Sequence, residues 1–439
     1  MKKLLLICCV LLTTPICNAQ LGNLLERAKQ KTKAKVNQKV DQKIDNAIDK
    51  SLDEAENTAA GKKKSAGDNP TTVESEEKNV PVKTVTTVSL KSYSKFDFVP
   101  GEKLVAAEDF SQDAIGDFPA RWNTNGSGEI VTVNKAAGKF LMTQKEVTFY
   151  PEWINNLPGN FTLEFDLMCT DKFSFYSGFF NVGFTSATNI GSNFRNFARF
   201  GEGRVENGGG FEVGFHPQNA GGMHGLTAFY STYNQQEILK NDADQDQLNE
   251  PDKTITHISV WRQKTRVRVY MDEKKVWDMP KALTEDIKLN SLYFRNNAAD
   301  NENDAYYIAN IRLAVGAPDT RNKLLNEGKF VTHGILFDVN SHQIKPESYG
   351  ALKDIATVLT ENPAIKVLIV GHTDSDGDDA ANLELSKKRA AAVKAILVKE
   401  FQVDISRLAT DGKGEAEPMD KNTFSEGKAN NRRVEFIKQ

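Results

Sequence analysis

Asn382, Ser386, Arg389 and Val393 follow one another at i, i+4, i+7 and i+11. That spacing puts all four on one face of a helix. Asp374 precedes them in the segment Gly371 to Gly377, which reads as the loop between a strand and that helix. A carboxylate and a guanidinium facing each other across such a cleft suit a zwitterion. Asp374 would take its ammonium and the planar fork of Arg389 its carboxylate. Asn382 would add a neutral hydrogen bond, and Arg432 or Arg433 supports the site or the fold. Taken alone, Asp374 and Arg389 read equally well as a structural salt bridge with each other. His372 reads as a loop residue, because no Ser, Cys or second His stands at a triad or metal spacing from it.

Other clusters invite chemistry. Glu164-Phe165-Asp166-Leu167-Met168-Cys169 approaches the E-x-D-x-x-E strand motif of jelly-roll glycoside hydrolases. Cys169 replaces the second acid that a two-carboxylate mechanism needs. Glu164 and Asp166 therefore read as the polar face of a strand whose Leu163, Phe165 and Leu167 point inward. Asp242, Asp244 and Asp246 alternate as in a calcium loop, without the Gly and downstream Glu of an EF-hand. They are the calcium candidates, set against ordinary acidic turns of which Asp300 to Asp304 is another. Cys169 reads as a small buried hydrophobe. Phe149, Tyr150 and Trp153 read as core before they read as a sugar platform. No catalytic residue and no cofactor is assigned, and the expectation is a protein that is not an enzyme.

The 439 residues predict two to four folding units. With 39% hydrophobic and 26% charged residues, the composition excludes wholesale disorder, collagen and a multi-span membrane protein. A net charge of -3 suggests no nucleic-acid partner. Residues 1–19 read as a signal peptide: Lys2 and Lys3, the apolar run Leu4 to Leu12, then small residues at Cys17 and Ala19. Thr14-Pro15-Ile16-Cys17 lacks the small-residue run of a lipoprotein signal. After cleavage Cys169 alone remains of the four cysteines, so no internal disulfide is expected. Residues 20–56 carry apolar positions at Leu21, Leu25, Ala28, Val36, Val40, Ile44, Ile48 and Leu52. They read as an amphipathic polar helix that self-associates, lies on an anionic surface, or is a solvated stalk. Residues 57–95, rich in Lys, Ser, Thr, Glu and Pro, read as a flexible linker.

Residues 96–316 carry short apolar alternations such as Phe161 to Leu167, Ile258 to Arg262, Arg266 to Tyr270 and Ile308 to Leu313. These predict half-buried antiparallel strands and an all-β sandwich. The order Asp109-Phe110, Gly116 to Trp122, the hairpin Tyr270 to Trp277 and a last strand Ile308 to Val315 resembles the concanavalin-like or laminin-G-like jelly rolls. Residues 317–328 are a connector. Residues 329–439 read as an α+β domain of βαβαβ pattern. Its strands are Val331 to Phe337 and Ile365 to Val370. One helix presents Leu352, Ile355, Ala356 and Leu359, and the next Leu385, Ala392 and Ile396.

Four ordered motifs in this last region resemble the OmpA C-terminal family of peptidoglycan-associating envelope domains. They are Phe337 to Pro346, Gly371-His372-Thr373-Asp374-Ser375-Asp376-Gly377, Asn382 to Ala390, and Gly412-Lys413-Gly414-Glu415 followed by Asn430 to Val434. The resemblance implies a sheet of βαβα type with both helices on one face. It also implies that Asp374 and Arg389 hold the free end of the diaminopimelate in the peptidoglycan stem peptide, with Thr373, Asn382 and Arg432 as further binding residues. The resulting expectation is an exported, non-enzymatic protein of the periplasm, associated with cell wall and outer membrane. It would bind peptidoglycan and present its sandwich to a glycan or protein. No recurring ten-residue lipid-facing band suggests a membrane barrel. The alternative is a carbohydrate-active enzyme that the C-terminal domain localises to the wall.

Overall fold

The computed structural model describes residues 96–439 apart from 145, 187–208, 235, 249, 251–253, 298–300 and 318. The signal peptide, helix and linker expected over residues 1–95 lie outside the described residues.

Residues 101–316 build two antiparallel sheets. The first runs β13 (Lys274–Met279), β12 (Arg266–Met271), β11 (Thr256–Gln263), β6 (Asn160–Cys169), β15 (Tyr306–Val315), β4 (Ala136–Thr143) and β3 (Glu129–Val133). A further strand, β1 (Lys103–Glu108), also pairs with β15. The second sheet runs β10 (Gln236–Gln245), β9 (Gly225–Tyr233), β8 (Gly209–His216), β7 (Phe180–Thr185), β14 (Ser291–Asn296), β5 (Val147–Pro151) and β2 (Trp122–Thr124). Period-two alternation gives each sheet one apolar face, and these faces meet in a single core. Phe161 packs on Phe184 with ring centroids 4.6 Å apart, and Phe165 on Phe294 at 5.4 Å. Phe149 belongs to this core, Trp153 packs partly buried against it and Tyr150 is buried, so the three form no open platform. Cys169 lies partly buried at its edge, where burial pushes its thiol up to about 12.

Leu163, Phe165 and Leu167 point into the core as their alternation predicts, but the opposite face of β6 is not solvated. Glu164 is 2% exposed and Asp166 7%. The C-terminal domain covers them. Phe98 packs against Trp261 and Tyr270 on that outer face, and its carbonyl lies where Gly350 leaves room for no Cβ. Leu104, Ala107 and Ala314 meet Ala429. Arg312 Nη2 donates to His333 O at 2.7 Å, and Arg121 pairs with Glu426 at 2.8 Å beneath the Trp153 ring.

The C-terminal sheet has the order β16 (Lys329–Thr332), β19 (Val434–Lys438), β17 (Val367–Gly371), β18 (Leu408–Gly412). β17 and β18 are parallel and the other pairs antiparallel. Helices α1 (Tyr349–Glu361), α2 (Asp379–Lys399) and α3 (Ser425–Asn431) complete the domain. The expected βαβαβ is β16 to β18; α3 and β19 extend it, and β19 inserts between β16 and β17. The first strand stops at Thr332 rather than Phe337. There the chain leaves the sheet to pass Pro100 at Gly334, then folds back so that Phe337 bridges Ile344. Leu352, Ile355, Ala356 and Leu359 line the buried stripe of α1. In α2 the predicted stripe is partly displaced: Ala392 is buried but Leu385 and Ile396 are only half-buried, while Ser386, Arg389, Ala390, Val393 and Leu397 are buried.

His333 sits in the interface, its Nε2 3.0 Å from Asn430 O. Burial, reinforced by the Arg312 charge, holds its imidazole down at about 4. A folded value below the unfolded one means that stability is complete above about pH 6.5 and is lost as pH falls towards 4. We expect a loss of about 3 kcal/mol across that window. Urea unfolding at pH 7 and pH 4.5 measures it, and the loss shrinks in His333→Gln, whose amide cannot charge.

Candidate functional site

The loop between β17 and α2 is held at both ends. Gly371 and Gly412, closing the two parallel strands, lie against Ser386 and Lys387 in the third turn of α2. A Cβ would come within 2.2 Å of Ser386 O at Gly371 and within 2.4 Å of Lys387 N at Gly412. This close approach explains why small and polar residues, not Leu385 and Ile396, occupy the buried face. Ser386 Oγ accepts from Gly414 N at 2.9 Å, and Thr373 N donates to Gly414 O at 2.9 Å. Gly377 turns the loop with φ 105, and Asp378 caps α2 by accepting from Ala380 N and Ala381 N, each at 3.0 Å.

Asp374, Arg389 and Arg432 meet at this loop, but not with the pairing that the sequence invites. Asp374 Oδ2 pairs with Arg432 Nη1 at 2.5 Å, and Asp374 Oδ1 accepts from Asp376 N at 3.2 Å. Arg389, 9% exposed, donates through Nε to Ser341 O at 3.0 Å and lies 4.9 Å from the Phe337 ring centroid. It forms no ion pair among the described residues. Burial, then the neighbouring Arg432 charge, pulls its guanidinium down to about 10. Arg433 belongs to the fold, paired with buried Glu435 at 2.8 Å. Asn382 is a loop organiser: its Nδ2 donates to Glu415 Oε2 at 2.6 Å and Asp376 O at 3.1 Å. The Thr373 hydroxyl is buried without a hydrogen-bond partner. His372 is buried 3.6 Å from Glu435.

Thr373, Asp374, Asn382, Arg389 and Arg432 all line one cavity of about 340 Å³. Its opposite wall is the outer face of the first sheet, with Glu108, Asp166, His257, Asn310 and Arg312. Burial pushes the Glu108 carboxyl up to about 7.

The OmpA family model matches residues 336–432. These residues form an OmpA family domain. The OmpA domain is similar to that of outer membrane porin F from Pseudomonas fluorescens, at 45% identity over 101 residues. The match covers 23% of this chain and 31% of that protein. It is also similar to the probable lipoprotein YiaD from Escherichia coli K12, at 42% over 104 residues, covering 24% of this chain and 47% of that protein. The chain thus spans less than half the length of these relatives. Among solved structures, the peptidoglycan-associated lipoprotein from Burkholderia pseudomallei matches at 27% identity with a TM-score of 0.24, covering 28% of this chain and all of that one.

The calcium candidates lie on and just past a strand at the edge of the second sheet. Asp242 and Asp244 lie on β10 and Asp246 just beyond it, not in a loop. Asp244 instead takes Asn219, and Asp246 takes His224 at 2.6 Å. Among the described residues no group of three or more His, Cys, Asp or Glu could hold a metal. Sequence reading left Phe337 and Glu415 without roles, although both stand in motifs quoted for the OmpA domain. The sandwich wall carried no signal, because its contact with the site joins residues far apart in the chain. Removing the α2 cap by Asp378→Ala is expected to lower stability by about 1 kcal/mol, read as a shifted urea midpoint at unchanged slope.

Proposed function

We infer that this protein is a non-enzymatic component of the cell envelope that binds peptidoglycan non-covalently through its OmpA domain. The observation that carries this reading is Arg389, a buried guanidinium on the cavity wall with no carboxylate partner among the described residues. Asp374 acts on it only from beyond ion-pair distance, so an anion from outside is the closer match for this buried cation. The diaminopimelate end of a stem peptide supplies one as a carboxylate that the fork can bind with two hydrogen bonds. Its ammonium goes to Asp374, whose carboxylate has acceptor capacity beyond the bonds to Arg432 and Asp376. Thr373 offers a hydroxyl, and Asn382 holds the loop in place. The family's peptidoglycan-associating role, and the names of outer membrane porin F and the lipoprotein, support an envelope location. We read the sandwich as a concanavalin-like jelly roll that serves as a binding module. The hydrolase reading is disfavoured because Asp166 is hydrogen-bonded to His257 and Asn310 on a covered face, and Cys169 stands where the second acid would be.

Co-sedimentation of the full chain with isolated sacculi tests the inference. The wild type is expected to pellet. Arg389→Ala and Asp374→Ala are each expected to leave most of the protein in the supernatant, a loss of affinity on the order of 100-fold from truncating one partner of a charge-assisted contact. Wild-type protein that stays soluble refutes the reading.

A further inference from the structure

The outer face of β6, β11 and β15 turns its polar groups towards the OmpA cavity. Asp166 accepts one hydrogen bond on each oxygen, from His257 Nδ1 and from Asn310 Nδ2, both at 2.7 Å. Asn310 stands where β15 slips register against β6, between Ala309 and Arg312, and its backbone is left-handed with φ 52. Such a bulge takes a residue out of the ladder and re-aims its side chain. Asn310 is exposed on the cavity wall, and its amide oxygen has no hydrogen-bond partner among the described residues.

The two walls lie within electrostatic reach of each other. Burial pushes the Asp166 carboxyl up, but His257, Asn310 and the Lys345 ammonium of the OmpA domain hold it below its ordinary value. Arg312, next but one to Asn310, is half-buried, and its desolvation and the Arg432 charge push its guanidinium down. Hydrolysis is a poor use of this wall. Burial alone would pull the His257 imidazole down, yet Asp166 and Glu164 carry it up to about 10, so it is already protonated at neutral pH and is no base.

We propose that Asn310 of the sandwich and Lys345 of the OmpA domain form a second subsite, which takes the part of a peptidoglycan stem peptide that precedes the diaminopimelate. The proposal rests on the reading of Asp374 and Arg389 as the diaminopimelate clamp. The residue before the diaminopimelate is a γ-linked glutamate with a free carboxylate, which pairs with the Lys345 ammonium. The amide oxygen of Asn310 accepts from a peptide N–H. The sandwich therefore takes part in recognising the wall polymer.

Calorimetric titration of the full chain with meso-diaminopimelate, and with the tripeptide L-Ala–γ-D-Glu–meso-diaminopimelate, tests this. The wild type is expected to bind the tripeptide more tightly than the free amino acid. Asn310→Gly suits the left-handed backbone, and Lys345→Gln keeps a polar side chain at a half-buried position. Each is expected to weaken the tripeptide about five-fold and to leave diaminopimelate unchanged, which also shows that the variant is folded. Unchanged tripeptide affinity in both variants, or an equal loss of both ligands, overturns the proposal; loss of binding in Arg389→Ala in the same series leaves the clamp standing. A wild type that binds neither ligand overturns the clamp and the second subsite together.

Discussion

The face of a sandwich sheet that ordinarily meets water is here enclosed by a second domain, and enclosed charges must find partners. Most of the described architecture answers that constraint. Glu164 and Asp166 bracket His257, which lies 3.5 Å from the first and 2.7 Å from the second. Asn310 satisfies the remaining Asp166 oxygen from a bulge that the ladder would otherwise not contain. Arg312, opposite Glu164 in the β15–β6 ladder, reaches over to a backbone carbonyl of the OmpA domain. The segment ahead of β1 threads the same seam through Phe96 and Phe98, sealed by aromatic contacts with Tyr270 and Trp261.

The OmpA loop leaves one cavity-lining charge without an ion pair. Arg432 neutralises Asp374, Lys428 pairs with Asp376 at 2.7 Å, and Arg433 pairs with Glu435. Arg389 has only a backbone carbonyl and an aromatic ring. Local rules of burial and pairing are broken most often where a molecule does its work. The glycines at 371 and 412 hold the helix close enough for the guanidinium and the carboxylate loop to share one cavity.

Much of this was legible in residue order. Alternation in Phe161 to Leu167 located β6 and its inward side chains, and the Tyr270 to Trp277 hairpin turns at Asp272 with φ 50 as a tight connection needs. The four motifs located the OmpA domain and the residues that line its cavity. Three things were not legible. Which arginine pairs with Asp374 depends on where α3 delivers Arg432, and the motif spacing does not encode that. The displaced stripe of α2 depends on how closely two strand-end glycines approach it, which the helix's own apolar pattern does not encode. The polar face of β6 looked solvated because nothing in a strand's own pattern announces a domain that docks on it from residue 329 onward.

Cys169 has a consequence of a practical kind. Its thiol, raised by burial to about 12, carries almost no thiolate at neutral pH, and thiolate is the species that attacks disulfides and alkylating probes. The described part of the molecule is therefore chemically quiet towards thiol exchange. A cysteine introduced on either wall of the cavity would react selectively over the native one, so a spectroscopic label could be placed between the two domains without first removing Cys169.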